Sequence, residues 1–144
     1  MIPGLFENGA LPVLDRMVQF TEARQAVLAD SVANLSTPYH RPRDLDPQAF
    51  QAELRRGIQQ RRRAGGPLDR PLELRRSTEL TFRHDRLEAT GRPTDRNLLF
   101  HDQNNRDLER TMQKIAENQL AHNAAIRLLG NQFDMLETAI RESV

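Results

Sequence analysis

The chain has 144 residues, a formal net charge of +1 and no cysteine. That length suits one domain or a helical module with an insert, and the near-neutral charge supplies no global field drawing it to nucleic acid or a membrane. The absence of thiols excludes disulfides, thiol catalysis and thiolate metal sites.

Residues 1–9 hold Pro3, Gly4 and Gly9 among Ile2, Leu5 and Phe6. This composition predicts an irregular arm with a small apolar patch. It has neither the basic start nor the long apolar stretch of a secretory signal. Residues 10–36 are predicted to form the first long helix, with Pro12 in its first turn, where a missing N–H costs little. Along it Leu14, Val18, Thr21, Gln25, Leu28, Val32 and Leu35 recur at alternating steps of four and three. That average spacing is the coiled-coil period and puts the set on one side of a helix. Asn34 suits a left-handed C-cap, and Pro38 drives Thr37 out of the helical region.

Residues 37–103 lose the pattern. Pro42, Pro47, Gly57, Gly65, Gly66, Pro67, Pro71, Gly91 and Pro93 interrupt them repeatedly. Phe50, Leu54 and Ile58 are spaced for a short helix. Arg61-Arg62-Arg63-Ala64-Gly65-Gly66 is expected to be a loop. Leu72-Glu73-Leu74 and Leu80-Thr81-Phe82 alternate over too few residues to define strands. The expectation is an irregular, partly extended or disordered insert rich in arginine and proline.

Residues 104–144 are predicted to form the second long helix. Asn105 or Asp107 can cap its start, with Asp107 and Glu109 favoured by the positive end of the helix dipole. Leu108, Met112, Ile115, Gln119, His122, Ile126, Leu129, Phe133, Leu136 and Ile140 repeat the same steps of four and three. The fold expected is therefore mainly α, with long N- and C-terminal helices pairing as a coiled coil around the insert. The two seams alone bury too little to fix both helices firmly, so neighbouring molecules are expected to complete the packing.

Catalytic patterns are sparse. His84-Asp85 and His101-Asp102 resemble half-sites for divalent metals, but no second histidine stands at helical ligand spacing, and solvated polar residues are the better reading. His122, on the seam beside Gln119, is better read as part of a polar layer setting helix register than as a proton shuttle. Gly65-Gly66-Pro67 lacks the strand and helix context of a phosphate cradle. Arg55-Arg56, Arg61-Arg62-Arg63 and Arg75-Arg76 can contact phosphates, yet no aromatics interleave with them for stacking on single strands. No catalytic residue, cofactor, metal, nucleic-acid partner or membrane span is expected.

The segment from Arg24 to Tyr39, RQAVLADSVANLSTPY, resembles the N-terminal signature of bacterial flagellar rod and hook proteins. Its shared features are a leucine-alanine pair, a hydrophobic-Ala-Asn ending at Ala33-Asn34, then Thr37-Pro38 and an aromatic, Tyr39. The family usually has a glycine between that proline and tyrosine; this chain does not. Asn104-Asn105-Arg106-Asp107-Leu108-Glu109, Met112, Ala116-Glu117-Asn118-Gln119-Leu120 and Asn123 resemble the FlgB family of proximal rod proteins, which often has an aromatic where this chain has His122. The resemblance implies a structural subunit of the flagellar basal-body rod that polymerises through its terminal helices, transmits torque and lines the export channel. It implies as partners other rod subunits and further copies of itself, rod-base adaptor and MS-ring proteins, and the flagellar type III export apparatus. Export without a cleaved signal follows, as does a place in the periplasm-spanning rod. The two seams and the resemblance together give as packing and assembly residues Leu14, Val18, Leu28, Val32, Leu35, Leu108, Met112, Ile115, Ile126, Leu129, Phe133, Leu136 and Ile140. Ala33, Asn34, Thr37, Pro38, Tyr39, Asn105, Asp107 and Asn118 are the motif residues. Another axial subunit, a soluble coiled-coil adaptor or export chaperone, and, more remotely, an arginine-rich nucleic-acid binder stay open at this point.

Overall fold

A computed structural model describes residues 9–63, 72–76, 79–82, 87–93 and 108–142. Among the described residues are three helices and two short antiparallel strand pairs: α1 (Leu11–Ala33), β1 (Arg43–Asp44), α2 (Pro47–Arg63), β2 (Leu80–Phe82), β3 (Leu87–Ala89), β4 (Arg92–Pro93) and α3 (Leu108–Glu142). β1 pairs with β4, placing Asp44 opposite Arg92, while β2 pairs with β3, placing Thr81 opposite Glu88. The predicted arm, His84-Asp85, the Gly65-Gly66-Pro67 loop, His101-Asp102, Asn105 and Asp107 lie outside the described residues, apart from Gly9.

α1 is the centre of the molecule. Pro12 sits in its first turn as expected, and no side chain caps its start. One of its faces lies against α3. The other carries Val13, Met17, Phe20, Ala23 and Val27 into a core with Leu45, Phe50, Leu54, Leu72 and Leu80 from the insert. Phe20 and Phe50 stack with ring centroids 4.1 Å apart and 2° between planes, joining α1 to α2.

The insert departs from expectation here. Pro47 starts a helix instead of breaking one: Asp46 is its N-cap, with Oδ1 accepting from the backbone N–H groups of Gln48 at 2.8 Å and Ala49 at 3.2 Å. α2 runs for 17 residues, well beyond Phe50–Ile58, and Arg61-Arg62-Arg63 form its last turn. Cations there face the negative end of the helix dipole, which explains helix where a loop was expected. Leu80–Phe82 is a strand, whereas Leu72–Leu74 has no regular structure.

Two glycines let this layer close. A Cβ on Gly57 would stand 3.0–3.2 Å from Leu74, Glu73 and Leu72, so the 72–74 segment lies directly on α2. One on Gly91 would meet Val27 Cγ1 at 2.7 Å, so only glycine lets the β3–β4 bend touch α1.

The exit from α1 is also different. Asn34 has φ −100°, not the left-handed value expected of it. Its side-chain amide instead turns back, donating to the Asp30 carbonyl and carboxylate at 3.0 Å each. The left-handed residue is Tyr39, at φ +63°. The His40 N–H bonds the Thr37 carbonyl across Pro38-Tyr39, and this is the arrangement of a type II turn, with proline second and positive φ third. The tyrosine thus takes the backbone conformation that glycine adopts at least cost.

Candidate assembly face

α3 runs antiparallel to α1, and a polar layer fixes their register. Asn118 is 2% exposed, and its amide donates to the Thr21 carbonyl at 2.8 Å and to Gln25 Oε1 at 3.0 Å. Thr21 Oγ1 lies within 3.0 Å of the Met17 and Val18 carbonyls and donates its one hydrogen there. His122 Nδ1 lies 2.9 Å from the same hydroxyl, within hydrogen-bond distance. Beside this layer a groove of about 390 Å³ opens between the helices, with Ala26 and Ala29 on its α1 side. The seam was legible as a polar register layer at His122; the buried amide was legible only as a motif residue.

A second tie reaches α3 from the insert. Arg24, 7% exposed on α1, grips Asp44 of β1 with both arms of its guanidinium, Nε at 2.9 Å and a terminal nitrogen at 3.1 Å. Lys114 of α3 donates to the same carboxylate at 3.0 Å, sharing Oδ2 with the Arg24 terminal nitrogen. Burial pushes the Asp44 carboxyl upward, but the hydrogen bonds and charges of Arg24 and Lys114 outweigh it and hold the pKa below the ordinary aspartate range. One carboxylate therefore joins α1, β1 and α3. Ser31 adds a neutral tie, its hydroxyl accepting from the Arg43 N–H at 3.0 Å. Sequence reasoning missed Arg24, Ser31, Asp44 and Lys114 as a set; the signal available was the lone lysine.

The buried face of α3 differs from the seam read in the sequence. Its half-buried or buried positions are Thr111, Ile115, Asn118, His122, Ala125, Leu129, Gln132 and Leu136, with Lys114 at the edge. Ile115, His122, Leu129 and Leu136 are common to both sets. The others shift by one residue, turning the face by roughly 50° at 100° per residue. The cause is Asn118. A buried amide without partners costs about 1–3 kcal/mol, and docking it on Thr21 and Gln25 brings Ala125, one heptad on, into the interface. Large side chains are left outside: Leu108 43% exposed, Met112 51%, Ile126 46%, Phe133 44% and Ile140 49%. On α1, Leu14 and Leu28 are buried, Val18 and Val32 half-buried, as is Leu35 just beyond the helix. Of the motif residues described, Asn118 is buried, Asn34 half-buried, and Ala33, Thr37, Pro38 and Tyr39 exposed.

The Thr21–His122 and Gln25–Asn118 pairs set Leu11 opposite residue 132. Residues 133–142 of α3 therefore run on past the first residue of α1, by about 15 Å at 1.5 Å per residue.

Among the described residues, no cluster of three or more His, Cys, Asp or Glu could hold a metal ion, and no helix is long and apolar enough to cross a membrane. The fold and this face define a mainly helical module with long first and last helices, the last carrying large apolar side chains outward. In sequence the chain is 26% identical to the flagellar basal body rod protein FlgB of Yersinia enterocolitica over 142 residues, 94% of this chain and 96% of that protein. It is 25% identical to the FlgB of Yersinia ruckeri over the same shares of both. No model of a known protein family matches the chain.

Proposed function

We infer that this chain is a structural, non-enzymatic subunit of the bacterial flagellar basal-body rod, at its proximal end. The observation that carries the reading is similarity to FlgB proteins across 94% of the chain rather than over one motif. The outward apolar face of α3 supports it physically. A row of large apolar side chains at heptad spacing stands half-exposed on the outer side of α3, and further copies or other rod subunits are the partners that cover it. The terminal helices then pair as a coiled coil within a polymer that transmits torque and lines the export channel. Rod-base adaptor and MS-ring proteins are the neighbours at one end. Delivery is through the flagellar type III apparatus.

The test uses the outward face. Ile126→Asp puts a charge where it is solvated in the free chain and buried in the polymer. The variant is expected to keep the unfolding midpoint of the parent yet fail to restore motility, or the rod in isolated basal bodies, to a strain lacking the gene. Normal rods built from that variant would sink the reading.

A further inference from the structure

The geometry points to a second interaction surface, remote from the α1–α3 seam: a basic hollow on α2 that receives a carboxylate-rich segment of another protein. α2 buries Phe50, Leu54 and Gly57, and Arg56, Gln59, Gln60 and Arg63, spaced three, four and seven residues on from the first, line another face. With Arg75 from the neighbouring 72–76 segment they line a surface hollow of about 440 Å³. Arg55, Arg62 and Arg76, each next in sequence to one of these arginines, are exposed.

The hollow is held in shape. Glu53, with a side chain 15% exposed, uses one carboxylate oxygen to grip Arg56 at 2.6 Å and the other to accept from the Arg75 backbone N–H at 2.8 Å. Gly57 lets the 72–74 segment lie against the helix. One acidic residue thus spends its charge on positioning two walls of a basic site.

The chemistry selects among anions. Guanidinium groups pair with carboxylates through two parallel hydrogen bonds, and the two glutamine amides add neutral donors. Arg56 and Arg63 are seven residues apart, about 10 Å along the helix. That reach meets only a few phosphates of a duplex, too few for firm binding at physiological salt. Among the described residues, no aromatic lines the hollow to stack a base. A concave site also suits protruding acidic side chains better than a flat lipid surface.

The test is binding of a fluorescein-labelled hexaglutamate peptide to the full chain, read by anisotropy, with far-UV circular dichroism to confirm fold. Saturable binding is expected, weakened at least tenfold in the double variant Arg63→Gln, Arg75→Gln and changed less than twofold by Arg127→Gln on α3. Glu53→Gln separates a built site from a diffuse field. Removing a negative charge strengthens non-specific attraction for the peptide, whereas loss of the grip on Arg56 weakens binding several-fold. Absent saturable binding, an equal loss with Arg127→Gln, or tighter binding by Glu53→Gln would overturn the proposal. So would tighter binding of duplex DNA or of phosphatidylglycerol vesicles than of the peptide, abolished by the same double variant.

Discussion

α1 and α3 carry similar heptad patterns but meet different fates. α1 is covered on two sides, by α3 and by the insert, and supplies most of the buried helical side chains: Leu11, Leu14, Phe20, Thr21, Arg24, Leu28 and Ser31. α3, at 35 residues the longer helix, fully buries only Asn118 and Ala125. The periodicity alone does not distinguish them. The difference comes from what each helix packs on, and it separates residues that hold the chain together from residues available to other molecules.

The sharpest way to break this contrast is to truncate the same kind of side chain on each helix. Leu28→Ala, at a position 1% exposed, is expected to cost about 2–5 kcal/mol in chemical denaturation. Ile126→Ala, at 46% exposure, should stay within about 0.5 kcal/mol. Equal losses would mean that α3 is as deeply packed as α1.

Next in size is the ion-paired junction. Asp44→Ala leaves Arg24 buried without its carboxylate, and removing one partner of a buried pair costs about 3 kcal/mol. A denaturation midpoint unchanged by this substitution would show that the junction does not hold the helices.

The same carboxylate sets an acid limb. Its folded pKa lies below the unfolded value, so the unfolded chain binds more protons and the contribution is fully present above the unfolded pKa, about 3.9. It is lost as pH falls through the folded pKa. Thermal melts between pH 5 and pH 2 should show a decline that is shallower in Asp44→Asn; parallel declines would assign the acid limb to other groups.

The smallest effect belongs to the turn after α1. Tyr39 is 75% exposed, so its side chain contributes little packing, while a non-glycine left-handed residue costs about 1 kcal/mol. Tyr39→Gly relieves that strain but loosens the unfolded chain, and a net gain of up to about 0.5 kcal/mol is expected. A loss of more than that would show that the tyrosine ring has a packing role.

These cases also show what could be read in advance. The long helices and the stop after α1 were legible because apolar spacing and proline act locally. Asp46-Pro47 was legible in principle as a cap followed by a first-turn proline, but proline counted in isolation read as a breaker. The rotation of α3 was not legible. It depends on Asn118 finding Thr21 and Gln25, residues about a hundred positions away, and periodicity ranks an asparagine below the isoleucine and phenylalanine it displaces. The Asp44 junction was hidden for the same reason, since only the fold brings Arg24 and Lys114 to one carboxylate. The outward residues of α3 were legible as apolar, but their separation from the intramolecular seam emerges only from burial.

Lys114 is the single lysine in the sequence, and its amine is held against Asp44 with the side chain 23% exposed. The molecule consequently carries its own reporter. Beyond the chain's α-amino group, an acylating reagent has one amine to attack, and that amine is shielded only while the last helix is seated on the rest of the protein. The rate at which Lys114 is modified therefore measures seating directly, without a label, in the free chain or in any larger structure it joins.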